Sequence, residues 1–190
     1  MDLTEVLLLI FLGFWLMLPA FLPNSAAVLF GGGLPMDLGK SWKGRRLLGD
    51  GKTWRGFIGG VSAGTSIGII QLFIAYPFDA EEFWGFGPVP EAMLVVFVLA
   101  LGSLLGDLVS AFIKRRLGLD RGAKAPVLDQ YNFIAGAMLL ALLVVPDWFI
   151  GAFIEGEHII SLIAVLVITP ILHRGVNIIG YKKGLKKVPW

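Results

Sequence analysis

All sixteen lysine and arginine residues of this chain fall in three polar segments, and the stretches alternating with them contain none. Six lie between Lys40 and Arg55, five between Lys114 and Lys124, and five between Arg174 and Lys187. The basic-free stretches 1–39, 56–113 and 125–173 are dominated by long apolar runs. Lys and Arg concentrate in the cytoplasmic loops that flank membrane helices, so the pattern reads as a polytopic membrane protein. A soluble domain is about 45–50% apolar. This chain is 56% hydrophobic, with a mean hydropathy of +0.80.

Crossing a bilayer takes about 20 mostly apolar residues. Five windows qualify, roughly 3–22, 57–76, 92–113, 133–150 and 158–179. Acidic residues mark the opposite side. Asp2 and Glu5 precede the first span; Asp79, Glu81, Glu82 and Glu91 lie between the second and third, and Asp147, Glu155 and Glu157 between the fourth and fifth. The expectation is an all-α integral membrane protein of the cell membrane. It is multi-pass, with one domain over residues 1–190, the N-terminus outside and the basic tail YKKGLKKVPW in the cytoplasm. Four or six spans would divide the basic loops between two sides. The N-terminal run lacks the positive region of a cleaved signal and reads as a retained first helix. Pro19 and Pro23 are expected to end that helix, with Asn24 and Ser25 as caps for a short helix after it.

Two spans carry small-residue stripes. Gly56, Gly60, Gly64 and Gly68 recur every four residues in the second, as do Gly102, Gly106 and Ser110 in the third. Such spacing lets helices pack closely, or it leaves a groove for lipid chains; both readings stand at this level. The net charge of +2 does not indicate a nucleic-acid surface. Basic clusters beside a membrane more often meet lipid headgroups or phosphorylated ligands. The chain has no cysteine, which excludes disulfides, thiolate metal sites and a thiol nucleophile.

The first basic segment holds the run Gly49-Asp50-Gly51-Lys52-Thr53. It is not a Walker loop, since Arg46 stands where the first glycine belongs, and no strand is expected before it. Its physics is still that of an anion site: exposed backbone N–H groups, the Lys52 charge and the Thr53 hydroxyl lie ahead of a helix N-terminus. The bland alternative is a flexible loop kept basic only by topology. Seven glycines, six basic residues and two tryptophans (Trp42, Trp54) within about twenty residues exceed that need.

The second segment is more specific. Asp107 stands in an otherwise apolar span, where a carboxylate costs about 2.5–3.5 kcal/mol on insertion scales unless paired or hydrated. Ser103, Asp107, Ser110 and Lys114 are spaced four, three and four apart and share one helix face. Asp129 and Asn132 add oxygen ligands at the start of the fourth span. A structural ion pair or a proton relay would explain a lone aspartate. Asp107 and Asp129 together, with Lys114, Arg115 and Arg116 nearby, favour a site for a divalent metal and phosphate.

The segment KTWRGFIGG (52–60) resembles the KTW-x-GF segment of the CTP-dependent phosphatidate cytidylyltransferases. GDLVSAFIKRRLGLDRG (106–122) is similar to their GDL-x-ES-xxx-KR-xxx-G-xKD signature, and LDQYN follows where the family has LDR-xD. The short chain, GKSWKGRRLLGDGKTWRG and the DQYNF ending resemble most closely the archaeal branch, the CDP-archaeol synthases. The likeness covers about residues 24–135. Ser110 stands at the signature's glutamate, Asp120-Arg121 at its Lys-Asp, Gln130 at its arginine and Asn132 at its second carboxylate. Asp120 is instead expected to pair with Arg116 or Lys124.

The resemblance implies transfer of CMP from CTP to an isoprenoid ether-lipid phosphate, 2,3-di-O-geranylgeranylglyceryl phosphate, with loss of pyrophosphate. It implies Mg2+ as cofactor, held by Asp107 and Asp129, and a catalytic set of Asp107, Lys114 and Asp129. Lys52, Thr53, Arg55, Ser103, Ser110, Arg115, Arg116 and Asn132 are the expected substrate-binding residues. A transporter or channel using the polar face of the third span is the competing reading. It lacks support from an inverted repeat or paired broken helices.

Overall fold

The computed structural model describes residues 1–120 and 123–184. Arg121 and the lysines Lys186 and Lys187 of the tail therefore lie outside the described residues. Helix α1 (Leu3–Phe21) opens with a capping box in which Asp2 Oδ1 accepts from Glu5 N at 2.8 Å and Glu5 Oε2 from Asp2 N at 2.7 Å. A short helix α2 (Pro23–Leu29) follows, then a two-stranded antiparallel hairpin of β1 (Ser41–Trp42) and β2 (Arg45–Arg46). Helices α3 (Trp54–Ala75), α4 (Val89–Arg116), α5 (Pro126–Val144), α6 (Pro146–Phe153) and α7 (Ile159–Lys182) complete the chain. Among the described residues five helical segments are long and apolar enough to cross a membrane, as expected.

The edges differ from expectation in three places, each for a backbone reason. Pro19 lies inside α1 instead of ending it, and the break comes at Pro23, the first residue of α2. Asn24 and Ser25 sit within α2, whose N-cap is Leu22, so neither caps it. The fourth span was expected over 133–150. It begins at Pro126, which suits a first helical turn, and stops at Val144, because Pro146 cannot continue the hydrogen-bond ladder and starts α6.

Helix α4 is the centre of the bundle. Half of its most apolar window is buried, against 17% for α7. It packs on α5, α3 and α1 at once. Leu16 and Met17 of α1, Val95, Val96 and Leu99 of α4, Ile134 of α5 and Val165 of α7 form the fully enclosed core.

The glycine stripes are packing surfaces. A Cβ on Gly60 would lie 2.7 Å from Leu104 Cδ1 and from Pro23 O; one on Gly64 would lie 2.6 Å from Pro19 O. The glycine face of α3 is therefore filled by α1, α2 and α4, and the lipid-groove reading of that stripe is set aside. Gly102 and Gly106 let α4 meet α5 at Gly136 backbone to backbone, and Gly106 is the immediate neighbour of Asp107.

Candidate functional site

A cavity of about 380 Å³ opens where α2, the 31–53 loop, α3 and α4 converge. Asn24, Gly31, Gly32 and Met36 line one part of it; Asp50, Gly51, Lys52 and Thr53 another; Leu104, Asp107 and Leu108 of α4 close it. Lys52 Nζ donates to Asp107 Oδ2, a contact bridging 55 positions of sequence. The side chains of Lys52 and Asp107 are 28% and 22% exposed, so both remain open to the cavity. Asn132 Nδ2 lies 3.4 Å from Asp107 Oδ1. The insertion cost of a carboxylate in an apolar span is thus offset by an ammonium and an amide.

Local chain chemistry sets Lys52 there. Thr53 is the N-cap of α3, and its Oγ1 accepts from Gly56 N at 3.2 Å. Pro35 and Thr53 form an antiparallel bridge, flanked by Met36 N to Lys52 O at 2.8 Å and Trp54 N to Leu34 O at 3.1 Å. The helix start is pinned to the preceding strand-like segment, and Thr53, Gly56 and Phe57 bring the positive end of the α3 dipole to the cavity. That geometry suits an anion.

The other expected residues divide. Lys114 Nζ donates to Asp129 Oδ1 at 2.7 Å, and Asp129 Oδ2 accepts from Ala125 N at 2.8 Å. This second Lys–Asp pair joins α4 to α5 two turns beyond Asp107 and does not line the cavity. Ser103 and Ser110 were expected to share the polar face with Asp107. Ser103 instead donates to Ala20 O at 2.8 Å, fully buried against α1, and Ser110 to Leu128 O at 3.4 Å in α5. Each hydroxyl satisfies a carbonyl of a different neighbour, because the helix around which the bundle closes meets a new partner at every turn.

Arg116 also takes another role. Its Nη1 and Nη2 donate to the carbonyls of Trp42 (2.6 Å), Arg45 (3.1 Å) and Arg46 (2.8 Å). Its guanidinium lies over the Trp42 and Phe112 rings at 5.3 and 5.4 Å. Arg116 staples the hairpin to α4. Its expected pairing with Asp120 is not found among the described residues. Arg55 is exposed and packs against Gly33, while Arg115 Nε is buried and has no hydrogen-bond partner among the described residues.

Asp37 was not singled out from sequence, and it is the most heavily bonded side chain of the loop. It accepts from Gly39 N (3.1 Å), Arg46 Nε (3.2 Å) and Nη2 (2.6 Å), Leu48 N (3.0 Å) and Gly49 N (2.9 Å). Its side chain is fully buried. The Arg46 guanidinium and the backbone N–H groups hold its carboxyl far below the usual carboxylate range, against the opposing effect of burial. The available signal was the Asp-Leu-Gly turn, with φ of 51° at Leu38 and 79° at Gly39; Asp commonly bonds the backbone two residues on in such turns.

A hard dication suits oxygen donors and keeps water and phosphate as its remaining ligands, needing only one or two carboxylates. Asp107 meets that description: a half-open carboxylate on the cavity wall. Asp129 stands away from the cavity, its oxygens taking Lys114 Nζ and Ala125 N in the α4–α5 joint. Among the described residues no cluster of three or more acidic or histidine ligands exists. The fit is therefore to a metal held by one protein carboxylate together with its substrate.

The chain matches the CarS-like family model, CDP-archaeol synthase, over residues 6–190. A CDP-archaeol synthase of Methanospirillum hungatei is 52% identical over 177 residues, covering 92% of this chain and all of that protein. One from Pyrococcus horikoshii is 46% identical over 178 residues, covering 93% of this chain and 95% of that protein. A solved intramembrane enzyme of archaeal membrane lipid biosynthesis aligns with a TM-score of 0.63 at 33% identity, covering 87% of this chain and 92% of that one. With the multi-pass bundle and the loop-to-helix cavity already in place, these matches show that the chain belongs to the CDP-archaeol synthase family of membrane cytidylyltransferases.

Proposed function

We propose that this protein transfers CMP from CTP to 2,3-di-O-geranylgeranylglyceryl phosphate, with Mg2+ as cofactor, at the cavity between the Lys52 loop and α4. The observation that carries the proposal is the meeting of Lys52 and Asp107 across one cavity beside the N-terminus of α3. A phosphate oxygen of the lipid attacks the α-phosphorus of CTP, the bond from that phosphorus to the bridging oxygen breaks, and pyrophosphate departs. The attacking phosphate is anionic at neutral pH, so no general base is required. Lys52, Thr53 and the positive end of the α3 dipole hold and orient the triphosphate, and in such positioning this chemistry gains most of its rate. Asp107 would hold the metal, which supplies charge neutralisation on the phosphates and on the leaving pyrophosphate. Lys114 and Asp129 then act on the site through the α4–α5 joint that they close.

The purified protein, given CTP labelled at the α-phosphate and the isoprenoid lipid phosphate, should form labelled CDP-lipid only in the presence of Mg2+. Label transfer that is indifferent to the divalent cation, or equal with ATP, would refute the assignment.

The proposal also sets the orientation. Contacts of Lys52 with Asp107 and of Arg116 with the hairpin bring the first two basic segments to one end of the bundle. The acidic residues Glu82, Glu91 and Asp147 gather around a second cavity, with Gly85 and Trp148, in the segments that alternate with them. The basic end faces the cytoplasm, where CTP is found, and the N-terminus lies outside. Single cysteines introduced at positions 43 and 81 into this cysteine-free chain provide the check. An impermeant thiol reagent applied to intact cells should label position 81 and spare position 43; the reverse pattern inverts the topology.

A further inference from the structure

Lys52 is held by main-chain bonds on both sides, and both lead to Asp37. Its N–H donates to Gly49 O at 3.2 Å, and its carbonyl accepts from Met36 N at 2.8 Å. Gly49 is fixed through its own N–H to Asp37 Oδ2, and Met36 is the residue before Asp37. Between those two anchors the chain makes a long excursion through the hairpin, residues 38–48. Positive φ at Leu38, Gly39, Lys43 and Gly44 marks tight turns along this excursion. What closes it is the Asp37 carboxylate, which takes Arg46 of β2 and the N–H groups of Leu48 and Gly49. Arg46 Nη1 in turn reaches Asp50 Oδ1 at 2.8 Å, and Asp50 lines the cavity.

We propose that Asp37 is a positioning residue for the nucleotide: it sets the Asp50–Thr53 wall against Asp107 without lining the cavity itself. The inference rests on the reading of that cavity as the CTP site. All its side-chain partners lie between Gly39 and Gly49. Removing it therefore loosens the loop and leaves the packing of the spans in place. A carboxylate is needed, because an amide cannot accept from Arg46 and from the backbone donors with both of its atoms.

The test is a double-mutant cycle on the full chain in detergent, read by equilibrium CTP binding and by steady-state kinetics. Asp37→Asn should raise the dissociation constant and KM for CTP by at least about tenfold, the floor for losing charge-assisted hydrogen bonds. The KM for the lipid phosphate and the melting temperature of the bundle should stay unchanged. Lys52→Ala should weaken CTP binding by about 10- to 150-fold on the same scale. Combining the two should weaken it little further, since Asp37 acts through Lys52. Should Asp37→Asn prove too unstable to purify, Arg46→Gln takes its place, with a smaller loss of CTP affinity and the same lack of additivity. If the parent protein binds no CTP, the cavity reading itself falls. If the parent binds CTP and the loop variant binds it equally well, or the two losses multiply in full, Asp37 is no positioning residue.

Discussion

Asp107→Asn should leave the protein inserted and folded and bring turnover down by at least about two to three orders of magnitude, the range seen when one group stabilising transition-state charge is removed. The substitution keeps side-chain volume and keeps an acceptor for Lys52, so the α3-loop-to-α4 contact survives in weakened form. What is lost is the charged oxygen pair facing the cavity. Melting temperature and membrane yield report the fold, and label transfer from CTP reports the chemistry. Turnover within a few-fold of the parent would reduce Asp107 to a counter-ion for Lys52. The same experiment separates the two Lys–Asp pairs. Asp129→Asn removes a partner of Lys114 outside the cavity, so its effect should fall first on stability of the α4–α5 joint.

The parts of the fold that charge and hydropathy encode were legible. Five spans follow from apolar length, and the two described basic loops do meet at one end of the bundle. Boundaries were legible only where polarity changes abruptly. The first two turns of α5 carry Asp129, Gln130 and Asn132, so an apolar window begins seven residues late, although Pro126 marks the true start. Between α1 and α2 the prolines were the signal: Pro23 marks the break as expected, whereas Pro19 is absorbed into α1.

The site was legible as residues and less so as an arrangement. Lys52 and Asp107 could each be picked out as charges that topology does not require, but their pairing spans 55 positions. Helical spacing placed Ser103, Asp107 and Ser110 on one face, and that geometry holds. It failed as a guide to environment because α4 is enclosed on several sides: one stripe meets α1 at Ser103, the cavity at Asp107 and α5 at Ser110. Asp37 escaped notice for a related reason. An aspartate in a glycine-rich turn looks ordinary, and its worth comes from partners up to twelve residues away.

Gly106→Ala should be the most damaging of the single-methyl changes. A Cβ at Gly106 would fall on Asn132 O of α5, in severe overlap, and 2.9 Å from Gly136 Cα. Both obstacles are backbone, so no side-chain rotation relieves them; α4 and α5 must separate. Alanine gains about 0.8–1.0 kcal/mol over glycine in helix propensity, while overpacking a tight interface costs typically about 1–3 kcal/mol and occasionally more. With backbone on both sides the cost should reach the upper end, and the net effect is destabilisation. Activity should fall with it, because the shift acts one residue from Asp107 and moves Asn132 away from the carboxylate it touches. Gly151→Ala in α6 and Gly175→Ala in α7 supply the contrast: nothing lies within 4 Å of a Cβ at either place. Those two variants should melt at or above the parent temperature and retain turnover. If Gly106→Ala does the same, the close α4–α5 crossing that sets Asp107 beside Asn132 is not the geometry on which the enzyme depends.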